Sequence, residues 1–460
     1  MNKDKDLTIE ETFRLAVTNH AENNIEVAQN LYKEVLKIDS NYAPAHNNLG
    51  VIFKKLEENY KAIDCYEKAI KVNPYYVDAH FNLGTIFKKL KENKKAIDCY
   101  EKVIKINPKH INAYNGLGLI LKETDDSNKA INCYKKIIEI DPKHVNAHNN
   151  LGGIFNELGD YKKAIYWYEK TIEIDPNHEI TLYNLGVALH SIQEYKKAAE
   201  QFKLINFKKS KSFLLSCFYN LGDKSTFFKK LDDQIKQGEV NAIIGSLSSL
   251  SEIRYGIRKS NPFCGEPLKY SLKTNLAEKY DFKDIFVDPI KYFLKHSVFS
   301  TTHQDLLING HQTKNNLFDK KDYFLDRIKD IIHLEVEKYQ NHFKESKEGF
   351  IKSWPKSYNI NAWLVSMKSG GKLNPHIHDY GWLSGSIYIN VPPKLKTNSG
   401  NLVVCINNQV IKAEKDSNLK KIIDVVTGDL CLFPSSLYHY TVPFESNEER
   451  VVLAFDVMPN

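Results

Sequence analysis

The chain is poor in arginine and lacks several features that would assign it to a specialised class of protein. Only five of its 64 basic residues are arginine, and its lysines are spread along the chain, so the net charge of +7 forms no clustered basic patch. Nucleic-acid binding usually depends on such a patch, which disfavours nucleic acid as a partner. No apolar run approaches the roughly 20 residues needed to span a bilayer. The charged start Met1–Asp6 lacks the apolar stretch of a signal peptide.

The cysteines also lack a spacing pattern that would indicate disulfides or a zinc site. The seven cysteines form no C-x-x-C pair, so neither a disulfide framework nor a zinc ribbon is expected. Together with the missing leader and membrane span, this predicts a cytoplasmic protein without a membrane partner. A length of 460 residues allows two or three domains, each with its own core.

A 34-residue period dominates the first half of the chain. Aligned blocks run 41–74, 75–108, 109–142 and 143–176, and each ends in Asn-Pro or Asp-Pro. A Leu-Gly pair, an alanine and an aromatic residue recur in step, as in Leu49-Gly50, Ala62 and Tyr66. This pattern resembles the tetratricopeptide repeat. A weaker copy at 7–40 and a truncated copy from 177 bring the total to about six, so we expect an α-solenoid with a concave groove.

In the family that these repeats resemble, the groove usually binds an extended peptide or a partner's helix. Asparagine recurs at one repeat position, and Gly116 breaks the series, so these side chains are candidates for binding a peptide backbone. The set is Asn48, Asn82, Asn150 and Asn184. Histidine recurs at another position, as His46, His80 and His148. Because their repetition follows the period, we expect the histidines to be packing residues and not metal ligands.

The pattern changes beyond the repeats. Residues 207–235 still have a helical pattern and are expected to cap the array, and turn formers near 246–263 mark a boundary. A helix is predicted over 323–343. From Tyr358 onward, short β-rich runs separated by Gly, Pro and Asn predict a sandwich or jelly roll. The runs are 358–367, 385–391, 402–406, 422–426, 430–433 and 450–457.

Three histidines and one arginine in this last region carry the chemistry. His376 and His378 are two residues apart, which places both side chains on one side of an extended strand. His439 follows within an apolar run, and Arg450 opens the last strand-like segment. Converging imidazoles with an arginine nearby suit a non-haem iron centre that holds a small dicarboxylic acid. Alternation along the strand places Val452 and Ala454 on the same face as Arg450.

This region resembles the 2-oxoglutarate/Fe(II) oxygenases, double-stranded β-helix proteins related to prolyl hydroxylases. Two upstream segments, 261–268 and 308–313, resemble sequences that precede the domain in relatives carrying tetratricopeptide repeats. The resemblance implies Fe(II), 2-oxoglutarate as co-substrate, and O2. The matching segments are Tyr358–Trp363, His376–His378, Leu383–Ile389, Gly428–Pro434, Leu437–His439 and Arg450–Phe455.

The resemblance also implies a role for individual residues. His376, His378 and His439 would hold iron, and Arg450 would bind the distal carboxylate of 2-oxoglutarate, with a surface pair to Glu448 or Glu449 as the alternative. The superfamily's commonest triad contains a carboxylate at the position of His378, so Asp379 is an alternative ligand if a bulge turns it inward. Tyr358, Asn361 and Tyr388 are candidate hydrogen-bond partners of the co-substrate. Trp363 and Trp382 are expected to pack.

The predicted architecture is therefore an α + β multidomain protein, an α-solenoid followed by a double-stranded β-helix. We expect the repeats at 1–206, a helical cap and linker at 207–260, and the oxygenase-like domain at 261–460 with its core at about 355–459. The leading hypothesis is a dioxygenase that hydroxylates a protein or peptide recruited by the repeats. The alternatives are a non-catalytic interaction scaffold and a three-histidine, cupin-like dioxygenase acting on a small molecule.

Overall fold

The computed structural model describes residues 7–124, 126–296, 298–299, 301–302, 306–407 and 417–460. The N-terminal stretch Met1–Asp6, on which the expectation of no signal peptide depends, lies outside these residues. The chain divides into two compact units, Met1–Thr181 and Leu182–Asn460. The predicted boundary at 206 marks the end of the repeat period in the sequence. The division after Thr181 instead follows the spatial contacts between residues. None of the helices in the described ranges combines the length and the apolar character needed to cross a membrane.

Paired antiparallel helices make up the first unit. Each repeat contributes two helices, and each helix packs on its partner and on the next repeat. The tight turn between repeats follows from Pro74 and its equivalents, since proline cannot continue the preceding helix. The helices are α1 (Ile9–Ala21), α2 (Ile25–Ile38), α3 (Ala43–Lys55), α4 (Asn59–Val72), α5 (Val77–Lys89), α6 (Asn93–Ile106), α7 (Ile111–Glu123), α8 (Ser127–Ile140), α9 (Val145–Glu157) and α10 (Tyr161–Ile174), and α11 (Glu179–Ser191) runs across the unit boundary.

Each repeat closes around a glycine and an aromatic ring. A Cβ added at Gly50 would lie 2.5 Å from Tyr66 Cε1, and one at Gly152 would lie 2.5 Å from Tyr168. The ring therefore packs on the glycine of its own repeat, which is the reason for the recurring Leu-Gly and aromatic positions. Gly116 interrupts the asparagine series because a Cβ there would lie 2.7 Å from the ring of Tyr100.

The adjacent glycines of α9 provide a direct test of this packing. Replacing Gly152 by alanine should destabilise the first unit by about 1–2 kcal/mol, because overpacking against Tyr168 outweighs the gain in helix propensity. Replacing Gly153 by alanine should stabilise the first unit by up to about 1 kcal/mol. The added Cβ would have Lys122 Nζ, at 3.8 Å, as its nearest neighbour. Denaturant unfolding followed by helical circular dichroism measures both. Equal effects of the two variants would contradict the packing argument.

The recurring histidines of the repeats are packing residues, as expected. His80 Nε2 hydrogen-bonds to the carbonyl of Pro74 at 3.0 Å, and His148 Nε2 to that of Pro142 at 3.0 Å. His46 makes the same bond to Ser40 at 2.9 Å. Each ring thus ties the start of a helix to the carbonyl six residues earlier, in the loop between repeats.

The second unit begins with helices and continues into two sheets. The predicted cap over 207–235 forms two helices, and the helix predicted over 323–343 is present. The helices after α11 are α12 (Tyr195–Lys203), α13 (Lys208–Leu221), α14 (Lys224–Lys236), α15 (Ala242–Tyr255), α16 (Asp288–Lys295), α17 (Tyr323–His342) and α18 (Gly349–Lys352).

The described residues of this unit contain ten strands, which form an antiparallel sandwich. The larger sheet has the order β1-β8-β5-β10-β4-β3-β2, and the smaller has β7-β6-β9. All six predicted strands are present. The strands are β1 (Leu272–Asn275), β2 (Thr301–Thr302), β3 (Leu307–Thr313), β4 (Tyr358–Leu373), β5 (Leu383–Asn390), β6 (Leu402–Cys405), β7 (Lys420–Ile423), β8 (Asp429–Pro434), β9 (Tyr438–Thr441) and β10 (Arg450–Pro459).

The segment before the predicted core contributes to the large sheet. β1 pairs with β8, with Leu272 opposite Leu432, and β3 pairs with β4, with Gln312 opposite Val365. These strands extend the sheet at both edges, so the domain begins well before residue 355. β1 and β3 carry few apolar residues, which is why a local pattern did not reveal them.

The two faces of the large sheet have different roles. On β10, Leu453 and Phe455 join Ile332 of α17 in the main hydrophobic core. Val452, on the opposite face, packs with Leu402 and Val404 of the small sheet. Because side chains alternate along a strand, the inner face of β10 carries Arg450, Val452, Ala454 and Asp456. The space between the sheets is where the site lies.

Candidate metal centre

Three histidines meet between the sheets. His376, His378 and His439 each offer a ring nitrogen, and these nitrogens all lie within 4.8 Å of one another. The ring centroids are 4.2 Å apart for His376 and His439 and 5.0 Å apart for His376 and His378. The H-x-H segment is not the regular strand that the spacing predicted. Pro375, which has no N–H to donate, precedes His376 and limits pairing there.

Backbone bonds tie the two histidine-bearing segments together. His376 N donates to the His439 carbonyl at 3.2 Å, and His439 N donates to the His376 carbonyl at 2.9 Å. This isolated antiparallel bridge holds the two rings side by side without help from a ligand.

Each of the three rings is held through its Nδ1 atom. His376 Nδ1 lies 2.9 Å from the Asn374 carbonyl, and His439 Nδ1 lies 3.4 Å from the Leu437 carbonyl. His378 Nδ1 lies 2.6 Å from Asp456 Oδ1. An Nδ1–H that donates to these oxygens leaves Nε2 unprotonated, which is the form that binds a metal.

Asp456 is a site residue that the sequence reasoning missed. Its Oδ1 also accepts a hydrogen bond from Ser384 Oγ at 2.8 Å, and Ser384 Oγ lies 2.8 Å from Ser435 Oγ. The sequence does contain a signal for it, because the strand alternation that places Val452 and Ala454 on the face of Arg450 also places Asp456 there.

The electrostatics keep two of the rings neutral. Burial, reinforced by His378, lowers the pKa of His376 to about 4. Burial and the two neighbouring histidines hold the pKa of His439 well below its usual value. Burial also disfavours the charged form of His378, but Asp456 overcomes this and raises its pKa. Three oriented imidazoles, two of them neutral at pH 7, fit a divalent transition metal such as iron.

Replacing Asp456 by asparagine should weaken metal binding by about 10–100-fold, the usual effect of removing a carboxylate that orients a ligating histidine. The variant keeps the size of the side chain but loses the negative charge of Asp456 that faces His378 Nδ1. Anaerobic titration with Fe(II) or Co(II) measures the affinity. Asp330→Asn, on the exposed surface of α17, is the matched control. An affinity within twofold of wild type for Asp456→Asn would contradict this role.

The structure leaves Asp379 outside the metal group. It lines the same cavity as the histidines. Among the described residues, however, the group of side chains close enough to share a metal ion consists of the three histidines alone. Burial raises the pKa of Asp379 to about 6, although His378 opposes the shift. The geometry thus favours three imidazoles over the alternative that includes this carboxylate.

Arg450 points into the protein and not towards its acidic neighbours. Its side chain is 1% exposed, its Nη2 donates to the Gly400 carbonyl at 3.1 Å, and its guanidinium lies 5.0 Å from the centroid of the Tyr388 ring. Nε has no hydrogen-bond partner in the described part of the chain. A buried guanidinium without an acidic partner is costly, so the group fits a bound carboxylate.

The other predicted contacts divide between the two faces of the sheet. Asn361 and Tyr388 line the cavity with Arg450. Tyr358 does not, because its position on β4 differs from that of Asn361 by an odd number of residues, which puts it on the opposite face, against His333. Trp363 was expected to pack but lines the cavity, 5.5 Å from the His378 ring. Trp382 packs as expected and donates to the Phe350 carbonyl.

One cavity of about 450 Å³ contains the histidines, Arg450 and Asp379. Its walls come from β4, β5, β9 and β10, so both sheets contribute. Apolar groups such as Met367 and Phe433 separate the polar ones. The volume is typical of a small-molecule binding site.

The asparagines of the repeats are half-buried. Asn48 Nδ2 donates to the Tyr32 hydroxyl at 3.2 Å, and Asn82 Nδ2 donates to Asn47 Oδ1 at 3.2 Å. Asn150 lies beside the Tyr134 hydroxyl, and Asn184 lies on α11. Two of these amides thus brace neighbouring helices, and peptide binding by the row stays a prediction.

Comparison with protein families identifies the two parts of the chain. Residues 43–76, 77–110, 111–144 and 145–178 match the tetratricopeptide repeat model. Residues 361–456 match the model described as "Putative 2OG-Fe(II) oxygenase". The protein thus consists of a solenoid of tetratricopeptide repeats followed by a 2OG-Fe(II) oxygenase-type domain. The matched repeats have the predicted period, shifted by two residues.

Solved structures similar to this chain include repeat proteins. MamA from Desulfovibrio magneticus is 22% identical, covering 39% of this chain and 99% of its own, with a TM-score of 0.35. YrrB, described as a TPR protein with an unusual peptide-binding site, is 19% identical, covering 42% and 97%, with a TM-score of 0.35. PilF of Pseudomonas aeruginosa is 19% identical, covering 42% and 91%, with a TM-score of 0.36. A search of curated proteins found no match.

Proposed function

We propose that this protein is an Fe(II)- and 2-oxoglutarate-dependent dioxygenase that hydroxylates a protein or peptide. One observation carries the proposal. Three histidines with anchored Nδ1 atoms share a cavity with a buried arginine for which the described residues provide no acidic partner. A metal and a dicarboxylate would satisfy both groups at once.

Each residue has a separate role in this proposal. Nε2 of His376, His378 and His439 would hold Fe(II), and Asp456 fixes the orientation of His378 through Nδ1. Arg450 would bind the distal carboxylate of 2-oxoglutarate with its planar fork, while Asn361 and Tyr388 offer further polar contacts. Bound Fe(II) supplies the oxidation in which 2-oxoglutarate, O2 and a C–H group become succinate, CO2 and C–OH.

The repeat array would recruit the substrate. Stacked repeats form an extended concave surface of the kind that binds peptides. We assign the candidate peptide contacts to Asn48, Asn82, Asn150 and Asn184. The seven cysteines are buried and free, which agrees with a reducing compartment such as the cytoplasm.

A second function is favoured by one observation, the absence of a carboxylate from the ligand group found among the described residues. Three-histidine centres also occur in cupin-like dioxygenases that oxidise a small molecule directly. Such chemistry has no need of a dicarboxylate anchor, so the buried Arg450 favours the first function.

The test is to add Fe(II) and then 2-oxoglutarate anaerobically to the metal-free protein and to record the visible spectrum. We expect a charge-transfer band that appears only when both are present. Iron binding without a band would favour direct oxidation of a small molecule. A protein that binds no iron would be a non-catalytic scaffold.

A further inference from the structure

One carboxylate in the cavity forms no hydrogen bond or ion pair with the residues that the structure describes. Asp379 lines the cavity next to His378, and it makes neither a hydrogen bond nor an ion pair with the described residues. We propose that Asp379 binds a basic group of the substrate, an ammonium or a guanidinium. This inference rests on the proposed function and specifies the substrate class of the same site.

The charges around the cavity support this assignment. Asp456, the other acidic residue that lines it, is already bound to His378, and Arg450 is the cation that would bind the co-substrate. Fe(II) and 2-oxoglutarate carry opposite double charges and cancel. Asp379 therefore remains as an uncompensated negative charge, and a partly buried charge without a partner is unfavourable. A cationic substrate group would neutralise it.

The neighbouring side chains also suit a cation at the end of an alkyl chain. Trp363, Tyr380 and Tyr440 line the same cavity as Asp379, and aromatic faces attract ammonium and guanidinium groups. The Tyr380 ring already holds one such group, since Lys209 Nζ lies 4.3 Å from its centroid. Met367 and Ile377 provide apolar surface for a methylene chain. An acidic substrate would meet the charge of Asp379 and be repelled.

The experiment compares small probes that share a butyl chain and carry either a cationic or a neutral polar head group. n-Butylammonium and n-butylguanidinium are titrated against the neutral 1-butanol, and binding is followed by ligand-observed NMR. The full-length protein is used both metal-free and loaded with Zn(II) and 2-oxoglutarate. We expect the cations to bind at least about tenfold tighter than the alcohol, a difference of about 1.4 kcal/mol. Asp379→Asn should bring this ratio to within about twofold.

Asp330→Asn serves as the control, because it removes an exposed carboxylate from the same unit and should leave the ratio unchanged. Equal binding of cations and alcohol, no binding of any probe, or a ratio retained by Asp379→Asn would overturn the inference. The charge argument applies to the loaded protein, so the comparison of wild type with Asp379→Asn in that state decides the inference. Failure of the proposed function is recognised separately, by the missing charge-transfer band.

Discussion

Exchanging His439 for glutamine should weaken Fe(II) binding by more than about a hundredfold. Removing even a residue that only orients a ligand costs 10–100-fold, and this variant removes a ligand itself. The two remaining imidazoles come from one short segment, His376 and His378, and they would leave the metal held from one side. Anaerobic equilibrium dialysis, with Co(II) as a spectroscopic substitute, measures the loss.

His333→Gln is the matched control. His333 is half-buried in the same unit, and its ring packs on Tyr358 on the opposite face of the sheet from the cavity. It should keep wild-type affinity. The backbone bridge between His376 and His439 does not depend on the side chain, so His439→Gln should also keep its fold by circular dichroism. Folded His439→Gln protein with normal iron affinity would rule out the three-histidine centre.

Replacing Arg450 by methionine should raise the concentration of 2-oxoglutarate needed for the chelate by about 30–100-fold. Hydrogen bonds to charged groups contribute about 1.5–3 kcal/mol, and the variant loses the paired donors that fit a carboxylate. Methionine fills most of the volume of the side chain, which limits damage to the core. Titration of the charge-transfer band gives the affinity.

The selectivity between co-substrates separates recognition from structural damage. Pyruvate carries the 2-oxo acid but no distal carboxylate, so its binding should change little in Arg450→Met, and the preference for 2-oxoglutarate should disappear. Arg327→Met, which removes an exposed arginine paired with Asp284, should leave the preference intact. An equal loss for both acids would show that Arg450 supports the fold and not the co-substrate.

The repeats could be predicted fully because their structure is local. The contact of Gly50 with Tyr66 lies within one repeat and recurs with the period, so sequence spacing alone identifies it. Three strands of the large sheet escaped detection for the opposite reason. β1 is short and polar, and its pairing of Leu272 with Leu432 joins distant segments of the chain, which no local pattern reports.

Site residues could be predicted where their residue type is unusual for this chain. They were harder to predict where the direction of the side chain determines whether the residue reaches the cavity. Arg450 stands out in a lysine-rich chain, and His376, His378 and His439 do come together. Tyr358, a predicted contact, lies on the opposite face of the sheet from Asn361 because side chains alternate along the strand. Asp456 was missed although the same alternation includes it.

The mutual hydrogen bonds of His376 and His439 have a consequence for how the proposed centre would bind a metal. Two of the three candidate ligands are held in register by the main chain, so the conformational entropy of bringing them together is already lost on folding. Metal binding to such a preorganised centre has little ordering cost. We therefore expect loading and release of a metal to leave the two sheets essentially unchanged, in contrast to zinc fingers, which unfold when the metal leaves.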